Sequence, residues 1–423
     1  QTITGVIDET GERDRYTFTI AAPTRVVFDS LTNNFQLTWS LVGPAPGVVP
    51  ITDAGLAANN LGFTEHQLFL APGSYTVTVD ATGDQTSAYS FRLVDLATAA
   101  DITATLGTPV NGQLNPGNES DFYRFNANAG DQITFDAITT GVTMTWTLIT
   151  PFGSALFGPS VFVDQGPITL GATGTYTLAL HGALSNTSPG SYTFNVISQG
   201  NVPPPAPGTA LTLGATTSGT IAVGGEVDRF TFTLATPGQL YLDSLTNSGT
   251  LQWTLVDPAG ATIESRTFQS SDGNFFGGNA ALRNMLPGTY ELRVSGTSGT
   301  ATGAYSFRLH NLLDAASSTA IVLPAAGTPA TPISGTLTPG NETDIYRFTV
   351  APGARIFFDT QTFGSVTWRL VSPLGAQLFG PTTVDVDTLT LSAGGTYILL
   401  IEGNITNTAN INYAFAVQPV PLA

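Results

Sequence analysis

The chain has 423 residues, of which 42% are hydrophobic and only 10% charged, and its formal net charge is −17. The acidic balance and the lack of basic clusters exclude a nucleic-acid partner, whose phosphates would be repelled, and disfavour anionic membrane surfaces. Cysteine is absent and all 13 basic residues are arginine, so disulfides and thiol chemistry play no part. No apolar run approaches the roughly 18 residues of a membrane span.

In chain order, Gln1 is followed by strand-like sequence and not by a basic and then an apolar stretch, so the start reads as processed or cut. A short strand ends at Gly5. A turn carrying Glu12-Arg-Asp14 follows, then the alternating strand Tyr16-Thr-Phe-Thr-Ile20. Period two puts apolar residues on one face and threonines on the other. A strand ending in Asp29 comes next, then the strand Leu37-Thr-Trp-Ser-Leu41. The turn Leu70-Ala-Pro-Gly leads into Tyr75-Thr-Val-Thr-Val79, and Ala88-Tyr-Ser-Phe-Arg-Leu93 closes the series. No segment shows a helical period over eleven residues; Asp95 to Asp101 comes nearest and reads as a connection.

The same series then recurs. Tryptophans stand at Trp39, Trp146, Trp253 and Trp368, spaced 107, 107 and 115 residues apart, and an E-x-D turn precedes each one. The strand-ending glycine recurs as Gly112, Gly219 and Gly335, and the strand-ending aspartate as Asp136, Asp243 and Asp359. Self-similarity at a fixed period sets the architecture. The expected fold is all-β: four tandem antiparallel β-sandwich domains, jelly-roll-like, each of eight or nine short strands. The first and third copies share DR(Y/F)TF, DSLTN and AYSFRL; the second and fourth share PGNE(S/T)D and LFGP. The order is therefore A-B-A-B. Boundaries fall at 1–97, 98–200, 209–314 and 315–423. Residues 201–208, with Val202-Pro-Pro-Pro-Ala-Pro-Gly208, form a stiff proline-rich linker. Two A–B pairs, each fairly rigid, are expected.

The series E-x-D-x-Y-x-F, then G-x-Y, then Y-x-(F/V)-x-(L/V), resembles the bacterial pre-peptidase C-terminal domain. Glu119-Ser-Asp-Phe-Tyr-Arg-Phe125 and Glu342-Thr-Asp-Ile-Tyr-Arg-Phe348 carry the resemblance best, which spans the chain four times over. It implies a jelly-roll-like sandwich, an accessory part of secreted proteases or a tandem array in large bacterial surface proteins. No protease domain accompanies the copies here.

The pairs Glu12/Asp14, Glu119/Asp121, Glu226/Asp228 and Glu342/Asp344 are the candidate metal residues, for calcium, since carboxylates with turn carbonyls supply hard oxygens; some members of the resembled family bind calcium near such turns. The competing reading is that each aspartate fixes turn geometry or pairs with an arginine: Arg15, Arg124, Arg229 and Arg347 lie nearby, and Asp29, Asp136, Asp243 and Asp359 are further partners. The tryptophans share a face with leucines and read as core. Loop phenylalanines Phe152, Phe157, Phe162, Phe275, Phe276 and Phe379 are candidate contacts for a glycan or another surface ligand, or tuck under their own loops. His66, His181 and His310 are the only histidines. The place of His181 is taken by Asp80, Ser295 and Glu402 in the other copies, and no hydrolase, zinc or phosphate motif is visible, so no enzymatic activity is expected. Sequons occur at Asn118, Asn186, Asn341 and Asn404.

Residues Thr2–Tyr16 align without gaps on Thr216–Phe230, yet Ala210-Leu-Thr-Leu-Gly214 has no counterpart before Gln1. A first strand is thus expected to be missing or supplied from elsewhere. Assembly by Pro421, Leu422 and Ala423 of one subunit against Gln1, Thr2 and Ile3 of the next would restore it. Composition and repetition together predict a non-enzymatic extracellular or cell-surface structural segment of a fibre, adhesin stalk or surface layer. Self-association or neighbouring copies of the repeat are its expected partners. The alternative is a ligand-binding accessory region of a secreted hydrolase, gripping polysaccharide or fibrous protein.

Overall fold

A computed structural model describes residues 2–43, 51–58, 67–70, 72–203, 206–271, 282–373 and 375–421. The first series forms β1 (Thr2–Ile7), β2 (Arg13–Ile20), β3 (Thr24–Ser30), β4 (Leu37–Val42), β5 (Ile51–Gly55), β6 (Gln67–Leu70), β7 (Gly73–Ala81) and β8 (Ser87–Asp95). They make two four-stranded sheets, ordered β1-β8-β3-β6 and β2-β7-β4-β5. Alternation explains which face goes inward. In β4 the side chains of Leu37, Trp39 and Leu41 are buried while Thr38 and Ser40 are half-exposed. Both sheets contribute to one core, in which Phe28 stacks on Trp39 and on Phe91.

The second series adds β9 (Ala100–Asp101), β10 (Val110–Leu114), β11 (Ser120–Ala127), β12 (Asp131–Thr140), β13 (Met144–Ile149), β14 (Ala155–Val161), β15 (Gln165–Thr169), β16 (Gly174–Gly182) and β17 (Gly190–Asn201). Its sheets are β10-β17-β12-β15 and β14-β13-β16-β11-β9. The third has β18 (Thr209–Ala210), β19 (Thr216–Ile221), β20 (Val227–Leu234), β21 (Gly238–Ser244), β22 (Leu251–Val256), β23 (Thr262–Thr267), β24 (Leu282–Met285), β25 (Gly288–Gly296) and β26 (Gly303–Asn311). These give β19-β26-β21-β24 and β18-β20-β25-β22-β23. The fourth has β27 (Thr319–Ala320), β28 (Ile333–Leu337), β29 (Thr343–Val350), β30 (Ala354–Thr362), β31 (Thr367–Val371), β32 (Gln377–Thr382), β33 (Val386–Leu391), β34 (Gly395–Glu402) and β35 (Ile411–Val420). They form β28-β35-β30-β33 and β27-β29-β34-β31-β32. The fold is all-β, with only short 3₁₀ turns between strands among the described residues.

Two compact units divide the chain; the first holds nearly all of the first two sandwiches together with Val256–Ile263, and the second holds the rest of the third sandwich and the fourth. Within each unit a small apolar seam joins the A copy to the B copy. Val27, Leu96, Phe122, Ile149 and Ala179 form it in the first unit. Tyr241, Leu312, Ile345, Val371, Ile398 and Leu400 form it in the second. Such seams bury faces that a free-standing sandwich would leave wet, which favours fixed geometry within a pair.

The sandwiches differ at one edge. In the second, third and fourth copies a two-residue strand from the incoming connector pairs in parallel with the motif strand: β9 on β11, β18 on β20, β27 on β29. Among the described residues β2 has no such partner and is an edge.

Candidate functional site: the E-x-D turns and the joint within each pair

The four E-x-D turns do the same structural work. The glutamate closes its own turn by accepting backbone N–H bonds. Glu12 Oε2 accepts from Asp8 at 2.6 Å and Glu9 at 3.1 Å. Glu226 Oε2 accepts from Ala222 and Val223, Glu119 Oε1 from Asn115 at 2.8 Å and Glu342 Oε1 from Thr338. The aspartate points inward across the sandwich to the tyrosine of the last strand. Tyr89, Tyr192, Tyr305 and Tyr413 donate to Asp14, Asp121, Asp228 and Asp344 at 2.5, 2.5, 2.5 and 2.6 Å. Three of these phenols also share a hydrogen bond with the motif tyrosine, Tyr16, Tyr123 or Tyr346; the third copy has Phe230 there.

The recurring strand glycine belongs to the same constellation. Gly5, Gly112, Gly219 and Gly335 pair with Tyr89, Tyr192, Tyr305 and Tyr413. A Cβ on any of them would come within 2.1–2.4 Å of the phenol. Glycine is required because the ring lies on the backbone. Burial and the neighbouring carboxylate push each of these four phenols well above the ordinary tyrosine range, so they remain protonated donors. Burial also raises Asp121 and Asp344 above the usual carboxylate range.

Each turn thus brings two carboxylates together, and Asp and Glu each spend an oxygen on a protein donor. Among the described residues no group of three or more histidines and carboxylates converges. A calcium ion takes six to eight oxygens, and this donor set supplies a fraction of them.

In the B copies the motif glutamate has a second task, which the sequence reading missed. Arg92 of the first sandwich bonds Asp29 of its own sheet at 2.5 Å and reaches Glu119 Oε2 of the second at 2.8 Å. It also donates to the Ser120 carbonyl at 2.6 Å. Ser120 returns its hydroxyl and backbone N–H to Asp29, and the Asn118 amide donates to the Leu31 carbonyl. The second unit repeats the plan. Arg308 bonds Glu342 at 2.7 Å and stands 3.9 Å from Asp243. Beside it Tyr241 donates to Glu402 and shares a 2.9 Å bond with Thr343. Glu402 is paired with Arg369 at 3.0 Å, both side chains fully buried.

Asp29 and Asp243 therefore pair with Arg92 and Arg308 of the AYSFRL strand, and not with the motif arginines. Of the latter, Arg124 faces Asp101 at 3.7 Å and Arg229 faces Glu291. The available signal was the alternation itself: DSLTN and AYSFRL occur only in A copies, PGNE(S/T)D only in B copies. Residues present on one side of a pair and matched on the other mark a shared contact.

Electrostatics follow burial. Asp29 is raised despite Arg92, because desolvation outweighs the ion pair. Asp243, with a longer arginine contact, is raised to about 7. His181 stands 2.8 Å from the Ser120 hydroxyl, and burial depresses it to about 3. Asp29, Ser120 and His181 lie in line with serine in the middle, whereas a hydrolytic relay places histidine there. All three are at most 5% exposed.

The remaining candidates are distributed as follows. The four tryptophans are at most 2% exposed. Phe157 and Phe162 pack edgewise or tilted against Trp146, Phe379 against Trp368, and Phe152 packs half-buried on the second core. Phe275, Phe276, His66, Gln1, Leu422 and Ala423 lie outside the described residues. Thr2 and Ile3 lie in β1, paired with Arg92 and Phe91. The Pro421 carbonyl accepts from Arg355 at 3.0 Å. Asn118 and Asn341 are buried and Asn186 donates to two carbonyls. Among the described residues the most exposed phenylalanines, Phe35 at 79% and Phe69 at 53%, were not singled out by sequence.

No family model matches the chain, and no curated protein matches it. Among solved structures it is similar to the pre-peptidase C-terminal domain of collagenase from Bacillus anthracis, with 22% identity over 25% of this chain and 98% of that one (TM-score 0.20). The periplasmic lysozyme inhibitor PliG of Aeromonas hydrophila is another, with 14% identity over 24% and 95% (TM-score 0.21). A Paenibacillus xanthan lyase spans 99% of this chain and 53% of its own at 13% identity (TM-score 0.16).

Proposed function

We propose that the chain is a non-enzymatic structural segment of an extracellular fibre, adhesin stalk or surface layer, built of four tandem sandwiches of the pre-peptidase C-terminal kind. One observation carries this reading: the same two-sheet sandwich recurs four times along the chain, each held by its own tyrosine–aspartate tie across the sheets.

The joints support it from the other side. They place ions, hydroxyls and apolar side chains where they lock one sandwich to the next, and the buried Asp29–Ser120–His181 line gives no substrate access. A function that gains from copying, such as reach or stiffness, fits such repetition. The arginine-only, weakly charged sequence suits an exposed protein that resists cleavage. No helix among the described residues is long and apolar enough to cross a membrane.

Exposed Phe35 and Phe69 on the first sandwich favour a second reading, a ligand-binding accessory region that grips a glycan or fibrous protein. Negative-stain electron microscopy of native material, with and without a chelator, tests both. Continuous fibres with a repeat near one four-domain length support the first reading. Separate particles that bind glycan and lose it with Phe35→Ala or Phe69→Ala would replace it by the second.

A further inference from the structure

The two joints share one part and differ in another. Arg92, Asp29 and Glu119 of the first recur as Arg308, Asp243 and Glu342 of the second, and Leu96 recurs as Leu312. This common part holds a B copy on an A copy in either pair, and it does not tell one pair from the other.

The remainder changes in step on both sides. On the A side of the first joint Val27 pairs with Val94 across β3 and β8. At the same positions of the second, Tyr241 pairs with His310 across β21 and β26. On the B side Phe122 stands opposite Ala179 across β11 and β16, and Ile345 opposite Leu400 takes those places across β29 and β34. Val27, Phe122 and Ala179 lie in the first seam; Tyr241, Ile345 and Leu400 lie in the second. The ring that fills the seam therefore comes from the B copy in the first pair, as Phe122, and from the A copy in the second, as Tyr241.

Polar groups follow the same exchange. His181 sits edge-on to Phe122 at 6.2 Å and bonds the Ser120 hydroxyl, and the A-side residue of that seam, Val27, has no polar side-chain atom. In the fourth sandwich Glu402 holds the place of His181 and Arg369 that of Thr147. Glu402 accepts from the Tyr241 phenol at 3.1 Å and pairs with Arg369.

We infer that the two joints are separate addresses: each A face accepts a B face of its own type and rejects the other type, in its own chain or in a neighbouring molecule. Both wrong combinations misfit. A Tyr241-bearing face set on a Phe122-bearing face puts two rings into a seam already filled by one, and a close-packed interior does not absorb that volume. A Val27-bearing face set on an Ile345-bearing face leaves a void and takes from Glu402 the phenol that donates to it. Near-identical sandwiches in one chain are prone to misassembly during folding, and misfit built into each wrong pairing counters it. Such addressing serves a fibre and a ligand-binding array equally, and so goes beyond the reading above.

The test grafts each wrong combination into the whole chain. Val27→Tyr sets a tyrosine in the seam with Phe122, and Tyr241→Val sets a valine in the seam with Ile345. Hydrogen exchange read by mass spectrometry follows the B-face strands, β11 and β16 in the first unit and β29 and β34 in the second. Each single change is expected to speed exchange there about tenfold or more. Moving the ring across, with Val27→Tyr plus Phe122→Ile or Tyr241→Val plus Ile345→Phe, should recover most of the protection. A side chain that was merely buried would not be rescued by a change on the facing sandwich. Exchange within about twofold of the wild-type chain in both single variants overturns the addresses, as do losses that the paired changes leave in place. If Val27→Tyr fails to fold, Tyr241→Val and its paired variant, which begin by removing volume, decide the question alone.

Discussion

The phenol of Tyr192 in β17 donates a 2.5 Å hydrogen bond to Asp121 Oδ2 in β11, while its ring lies on the backbone of Gly112 in β10. One residue thus ties together three strands in two sheets. The carboxylate accepts a bond stronger than a neutral one, and the glycine allows the approach. Replacing Gly112 by alanine puts a Cβ 2.2 Å from the phenol. Overpacking of this kind costs about 1–3 kcal/mol, and Tyr192→Phe costs a similar ~1–3 kcal/mol by leaving Asp121 without its donor. Scanning calorimetry should show the two losses to be strongly non-additive, because both act on one contact.

The Arg369–Glu402 pair is fully buried and tied to Tyr241 and Gln377. Removing one partner by Glu402→Ala should destabilise the second unit by about 3–5 kcal/mol, since a charge is left unmatched. The double replacement Arg369→Met with Glu402→Leu should recover most of that loss. A double variant as unstable as the single one would mean that the pair, and not packing, carries the joint.

The Asp243 joint should respond to pH. Its carboxyl is raised to about 7 by burial, opposed by Arg308 and by the nearby Thr343 and aided by Glu342. A raised folded pKa means the folded state holds the proton more tightly. The contribution is complete below the unfolded value near 4 and is lost as pH rises through 7, on the order of 4 kcal/mol across the interval. His310 in the adjoining strand is depressed to about 4, so it acts in the opposite sense below about 6.5. The difference between the wild-type chain and Asp243→Asn isolates the aspartate. The two melting profiles should differ least below about pH 4, with the variant gaining relative stability as pH rises to about 7.

Chelation tests the E-x-D turns. With their carboxylates spent on backbone N–H groups and tyrosines, melting in EDTA and in millimolar calcium should agree within about 1 °C. A calcium-dependent rise lost in Asp14→Asn or Asp121→Asn would instead make these turns metal sites.

Much of the fold was legible because it is local. Period-two alternation in Leu37-Thr-Trp-Ser-Leu41 decided which face is core, and the recurrence of Trp39, Trp146, Trp253 and Trp368 decided how many times. The chemistry of the aspartates was harder. An E-x-D turn looks the same in sequence whether its oxygens face a cation or a phenol, and only register put Tyr192 opposite Gly112 and beside Asp121.

The sequence by itself determined strand order, core and the A-B alternation, because side-chain periodicity and turn residues act over a few neighbours. Only the tertiary structure decided that Arg92 and Arg308 cross from one sandwich to the next, that Glu119 and Glu342 answer them, and that the connector strands β9, β18 and β27 pair in parallel with the motif strands. Those facts depend on which distant groups share a low-dielectric contact and which backbone groups find a partner, and no local pattern encodes either.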